Sequence, residues 1–220
     1  MLFQQIRNAP TGAFSYLLGD RDSRQALVVD PVDQNLNVIL ALIGDLALDL
    51  RYILMTHGHA ASAADALRLR AQAGGRIVAS IACQILVADQ RVDHGDCLPL
   101  GDEVIHVIGT PGHTQCSICY RWRDRVFTGD TLLFGACGDV NSADADAGCL
   151  FDSVTRRLFM LPPETLVFPG ADANGRTVST IAEEKAGNRL LSGRSREAFV
   201  TLMSSAPRQG ASGSSLRSMS

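Results

Sequence analysis

The apolar run Tyr52-Ile53-Leu54-Met55 ends abruptly in Thr56-His57-Gly58-His59. Such a run reads as a buried strand, and two imidazoles one residue apart at its end cannot both enter a core. Open α/β sheets keep their ligand sites in the loops at the carboxyl ends of strands. The chain is therefore expected to mix strands and helices, with a site at one sheet edge. The pattern recurs at His113, in Thr110-Pro111-Gly112-His113-Thr114, and at Asp130, in Thr128-Gly129-Asp130-Thr131, each just past a strand-like run. Each residue alone has a plainer reading: His57 caps the next helix, His113 fills a turn, Asp130 sits in a Gly-Asp turn. Three metal-ligand residue types at three strand ends make a constellation.

The pattern along the chain supports that layout. Phe3 to Ile6, Phe14 to Leu18 and Ala26 to Val29 are short apolar runs separated by turn residues, a small antiparallel meander. Leu36, Ile39, Leu40 and Ile43 recur at helical spacing, which predicts one helix from Asp33 to about Leu48. Ala60 to Ala73 reads as a second helix stopped by Gly74-Gly75, and Arg76 to Ser80 as a strand. Further strands are expected at Val104 to Ile108, Ser117 to Trp122, Arg125 to Phe127 and Thr165 to Phe168. Helices are expected around Phe151 to Met160, at Thr177 to Gly187 and at Ser195 to Ser204. This order describes an α/β (α+β) fold of two sheets with helices outside. Residues 1–205 form the domain, and the Ser/Gly/Arg-rich 206–220 is expected to be a disordered tail.

Charge and cysteine usage narrow the function. A net charge of -3 over 220 residues gives no nucleic-acid footprint. No apolar run approaches the roughly 20 residues that span a bilayer, and the start lacks a targeting pattern, so a cytoplasmic protein is expected. Six cysteines, at 83, 97, 116, 119, 137 and 149, read as reduced thiols. Cys116-Ser117-Ile118-Cys119 has redox spacing but falls in a strand-like run, where residues three apart face opposite ways.

Two neutral imidazoles and a carboxylate on one face of an ion leave positions open for water, dioxygen or substrate, the arrangement of non-haem Fe(II) oxygenases. The useful set is His57, His113 and Asp130. Zinc is the competing ion, four-coordinate with a polarised water. His59 would stand beside the same ion, as a fourth ligand or as a donor to a ligand. Asp30 reads as a turn residue before Pro31 or as a group orienting a ligand histidine. His94 and His106 read as structural, and Cys137 as a small buried hydrophobe.

Thr56-His57-Gly58-His59, Thr110-Pro111-Gly112-His113-Thr114, Thr128-Gly129-Asp130-Thr131-Leu132-Leu133 and Val167-Phe168-Pro169-Gly170 together resemble the metallo-β-lactamase superfamily. Cys137-Gly138, Leu161-Pro162 before Thr165 to Pro169, and Gly175-Arg176-Thr177-Val178-Ser179-Thr180 narrow the resemblance. They point to the glutathione persulfide dioxygenases, the ethylmalonic-encephalopathy-protein branch, which neighbours glyoxalase II. The resemblance covers roughly residues 1–205. It implies an αββα sandwich and one iron held by His57, His113 and Asp130. It also implies oxidation of glutathione persulfide by O2 and water to sulfite and glutathione, a role in sulfide metabolism and a homodimer.

The sequence departs from that family at three places. His-x-His-x-Asp-His has become His57-Gly58-His59-Ala60-Ala61-Ser62, and the late Gly-His-Asp-Tyr has become Gly170-Ala171-Asp172-Ala173. The ligands of a second metal are thereby lost, which disfavours hydrolysis by a hydroxide held between two ions. After Cys137-Gly138 the family's arginine is replaced by Asp139, which would repel a glutathione carboxylate. Two other readings stay open: a zinc-dependent thioester hydrolase resembling glyoxalase II, and a catalytically silent relative that keeps the fold for binding.

Overall fold

The computed structural model describes residues 1–84 and 87–205; the tail expected at 206–220 lies outside the described residues. Twelve strands form two six-stranded sheets among these residues. The first sheet runs β1 (Leu2–Arg7), β2 (Phe14–Gly19), β3 (Gln25–Val29), β4 (Asp49–Leu54), β5 (Arg76–Ser80) and β6 (Gln90–Val92). Its first three strands are the expected antiparallel meander, and β3 to β6 pair in parallel, with a helix crossing between β3 and β4 and another between β4 and β5. The second sheet has the order β12-β11-β10-β9-β8-β7. Its members are β7 (Cys97–Leu100), β8 (Glu103–Gly109), β9 (Ile118–Trp122), β10 (Arg125–Gly129), β11 (Leu166–Pro169) and β12 (Ser179–Thr180). Only β10 and β11 pair in parallel there.

Strand alternation sorts the apolar residues into three layers. Phe14, Tyr16, Leu18, Leu27, Val29, Tyr52 and Leu54 meet Ile105, Val107, Tyr120, Trp122, Phe127 and Phe168 between the sheets. The opposite face of the first sheet, with Leu17, Val28 and Ile53, buries Leu36, Ile39 and Ile43 of α1 (Leu36–Asp45) and Ala63, Ala66 and Leu69 of α2 (Ala60–Ala73). The opposite face of the second sheet buries Leu150 of α3 (Ala147–Ser153), Ile181 of α4 (Ile181–Gly187) and Phe199 of α5 (Arg196–Ser205). The result is the expected αββα sandwich.

Three helices and two strands depart most from the sequence reading. The first helix ends at Asp45, because Ala47 takes a positive φ of 48° and turns the chain so that Leu48 joins the core. The third starts earlier, at Ala147, where the Asp146 carboxylate accepts from Cys149 N, and it widens into a π-helical turn over Val154–Leu158. Thr177 to Gly187 is only partly helical. A capping box between Thr180 and Glu183 starts α4 at Ile181, and Ser179–Thr180 pairs with β11 instead. Strands β6 and β7 carry too little apolar pattern to have been read.

Bonds between the sheets concentrate at one edge. Tyr16 Oη donates to the Pro169 carbonyl, Tyr120 Oη to the Met55 carbonyl at 3.1 Å, and Ile118 N–H to the Thr56 carbonyl at 2.7 Å. Phe14 N–H donates to the Gly170 carbonyl at 2.8 Å. These bonds clamp the ends of β4, β9 and β11 together, and the candidate site lies there.

Candidate metal centre

Two separate chain reversals bring histidines to this edge. His57 and His59 leave the end of β4; the residue at the start of α2 is His59, whose side chain makes no cap bond, so His57 does not cap the helix as its plainer reading had it. His113 comes from the β8–β9 loop. That loop packs directly on α3, because Gly112 adopts φ 145° and a Cβ there would collide with the Leu150 backbone. One nitrogen from each of His57, His59 and His113 lies within 4.8 Å of the others. The rings are nearly perpendicular, with centroids 4.7 to 5.3 Å apart, so edges rather than faces converge.

His59 Nε2 and His113 Nε2 stand 3.2 Å apart, and Asp130 Oδ2 is 3.8 Å from His113 Nε2. The structure thus brings His57, His113 and His59 into one cluster, with Asp130 at its margin. Facing imine nitrogens beside a carboxylate are a donor set suited to a divalent cation.

Outer partners fix which nitrogen of two rings faces inward. His113 Nδ1 meets the Asp139 carbonyl at 2.7 Å, so it carries the proton and Nε2 keeps its lone pair. Asp30 accepts from Thr56 N–H at 2.8 Å and from Thr56 Oγ1 at 2.7 Å. Thr56 Oγ1 therefore accepts from His57 Nδ1, 3.0 Å away, leaving His57 Nε2 for a ligand role. Asp30 is both readings at once: a turn residue with φ 45° and, through Thr56, an orienting group.

Burial first, then the neighbouring imidazoles, lowers His57 to about 4 despite the opposing charge of Asp130. Burial pushes the Asp30 carboxyl up to about 6, against the two bonds from Thr56.

The remaining sequence candidates fall elsewhere. Asp139 acts through its carbonyl, while its carboxylate accepts from Asn141 N at 3.0 Å. Burial pushes Cys137 up to about 12. Cys116 belongs to the layer under the first sheet and Cys119 to the layer under the second, so the Cys-x-x-Cys spacing makes no pair. Cys116 also precedes β9 rather than lying inside it. His94 Nδ1 accepts from Gly109 N at 3.3 Å, a structural bond. His106, expected to have no companion, lies 3.3 Å from Cys97 Sγ across β7 and β8.

What the sequence reading missed is the Thr56 link between Asp30 and His57. A hydroxyl before a candidate ligand is the signal that could have found it.

Residues 9–170 match the family described as the metallo-beta-lactamase superfamily. The chain belongs to the metallo-β-lactamase superfamily. Within that superfamily it is 34% identical to the human mitochondrial persulfide dioxygenase ETHE1, covering 92% of this chain and 80% of that protein. The crystal structure of ETHE1 from Myxococcus xanthus superposes with a TM-score of 0.87 at 42% identity, over 93% of this chain and 91% of that one. A hydroxyacylglutathione hydrolase from Polaromonas is 30% identical over 72% of this chain and 62% of its own length. Among the described residues, no helix is long and apolar enough to cross a membrane.

Proposed function

We propose that this superfamily member is a persulfide dioxygenase that holds one Fe(II) through His57, His113 and Asp130, with His59 beside them. The observation that carries the reading is the asymmetry of the site. Three imidazoles converge with the Asp130 carboxylate at their margin, while Ala61, Ser62 and Ala171 line an adjoining cavity of about 200 Å³ shared with His57 and Asp130. The other carboxylates of that cavity are engaged: Asp30 by Thr56, and Asp65 by Asp33 N and Arg68. One ion has a ligand set; a second has none, so a two-metal hydrolase is poorly supported.

When bound, iron brings the electron transfer between a persulfide sulfur and O2. The protein's part is to present the donors. Asp139 and the Asp30–Thr56 pair hold the two rings with Nε2 inward, and burial keeps His57 neutral at physiological pH. Asp130 supplies the negative charge that balances the cation. The reaction converts R–S–SH, O2 and water to R–SH, sulfite and two protons. R is glutathione or a related thiol, and the Asp139 carboxylate, which accepts from Asn141 N–H, favours the one with less negative charge beside this loop. A cytoplasmic homodimer completes the proposal.

The test combines metal analysis of anaerobically purified protein with oxygen uptake on adding glutathione persulfide. About one iron per chain, with uptake abolished in His113→Ala, is expected. Zinc with oxygen-independent thioester cleavage would replace the reading with the hydrolase, and protein that takes up no metal would leave a silent relative.

A further inference from the structure

We propose that Cys116 and Cys83 form a sulfur-accepting thiol pair beside the histidine loop. Cys116 takes a sulfane sulfur from a persulfide or inorganic polysulfide, and Cys83 resolves it to an internal disulfide. Neither residue has a part in the metal chemistry proposed above.

Both cysteines belong to the same buried layer, under the outer face of the first sheet. Cys83 lies in the turn after β5, its N–H donating to the Ser80 carbonyl at 3.0 Å, and Cys116 in the turn before β9. Their thiols are hydrogen-bonded to each other. Cys116 Sγ also lies 3.4 Å from Thr114 Oγ1 and accepts from the N–H of Gly58, the residue between His57 and His59.

Two turns, rather than two rigid strands, therefore carry a thiol couple against the loop that positions two of the three imidazoles. One member, Cys116, meets an opening at the surface. Cys116 lines an open groove of about 420 Å³ with Gly58, Ala60, Gln84, Gln115 and Asp144.

The other cysteines are placed differently. Cys119 and Cys137 belong to the opposite layer, and Cys97 and Cys149 are exposed.

The bond from Cys83, with burial, pushes the Cys116 thiol well above its ordinary value, so at rest it is a weak nucleophile that ordinary disulfides engage slowly. Oxidising it calls for an activated sulfur donor, and the terminal sulfur of a persulfide is one. Cys116 sulfur bonds to that atom, the donor's S–S bond breaks, and R–SH leaves with the proton. Cys83 then attacks Cys116 Sγ, and hydrogen sulfide leaves as the Cys83–Cys116 bond forms. Two protein thiols are oxidised, and the donor's sulfane sulfur is reduced to sulfide. Neither O2 nor a metal enters the sum.

The experiment treats chelator-stripped full-length protein with sodium tetrasulfide under argon, followed by tryptic mapping without reductant. The native chain is expected to join peptide 77–91, which holds Cys83, to peptide 92–121 through Cys116, located by fragmentation. Cys83→Ser is expected to stop one step earlier, with a single extra sulfur atom on Cys116, and Cys116→Ser to show neither product. Folded Cys83→Ser protein with an unmodified Cys116, or a native crosslink through Cys97 or Cys119, overturns the proposal. Because the sum needs no iron, crosslinking without oxygen uptake would remove the dioxygenase reading alone, and uptake without crosslinking would remove this one alone.

Discussion

A methyl group added at Gly138 would sit 2.8 Å from His113 Nδ1 and 3.0 Å from His113 Cγ, and closer still to the Asp130 carbonyl. Carbon atoms settle at roughly 3.5–4.0 Å, so the ring must retreat by at least about 0.5 Å. It has little room, since Nδ1 is tied to the Asp139 carbonyl at 2.7 Å and Gly138 N–H to the Asp130 carbonyl at 2.7 Å. Gly138→Ala must therefore break one of these ties and turn a donor nitrogen away from the centre. Disturbing the partners of a ligand histidine costs about 10–100-fold in metal affinity. The overpacking itself costs about 1–3 kcal/mol, and each kcal/mol lowers Tm by about 2–4 °C in a chain of this size.

Anaerobic competition for Fe(II) against a chromophoric chelator reads the affinity, and circular dichroism of metal-free protein reads the fold. Gly44→Ala is the control: it lies in α1, and nothing stands within 4 Å of its added Cβ. That change should raise stability by about 0.5–1 kcal/mol and leave metal uptake alone. Native affinity within twofold and an unchanged Tm in Gly138→Ala would show that the site does not depend on this packing.

Three further outcomes are expected. The combined Ala61→Asp, Ser62→His and Ala171→His variant should raise metal content from one to two ions per chain by elemental analysis; a ratio that stays at one would mean the adjoining cavity is not a vacated second site. In metal-free protein His57 has a folded value of about 4 against an ordinary 6.5, so its contribution to stability is present above about pH 6.5 and is lost as pH falls towards 4. Urea midpoints measured from pH 7 to 4.5 should fall less steeply in His57→Gln, and parallel slopes would contradict this. Phe199→Ala empties a fully buried position on α5 and should cost about 3–5 kcal/mol in thermal or urea melts; a loss under 1 kcal/mol would mean that α5 is not docked as described.

Sequence legibility followed the strength of each local signal. Ala60–Ala73 and Arg76–Ser80 were readable to the residue, because Gly74-Gly75 punctuates them and nothing distant competes. The centre was readable as residue types at strand ends, since His57, His59, His113 and Asp130 all follow apolar runs. Their spatial order was not. His59 shares the cluster with His113 at 3.2 Å while Asp130 stands back at 3.8 Å, a matter of loop geometry fixed by Gly112 against Leu150. The Asp139 carbonyl on His113 was illegible for another reason: a backbone oxygen leaves no trace in residue identity. Ser179–Thr180 read as helix because a two-residue strand has no periodicity of its own; its state is decided by β11.

The clamps at the sheet edge give the sandwich a seam. His57 and His59 stand on one side of it, His113 and Asp130 on the other, and the joining bonds run from Ile118 to Thr56 and from Tyr120 to Met55. A cation gripped there would rivet the two halves, and nothing can grip it until both have docked. Metal capture is thus a late event in maturation and a gauge of closure: a substitution deep between the sheets, at Trp122 or Phe127, that lets the seam gape would weaken the grip while every donor stayed intact.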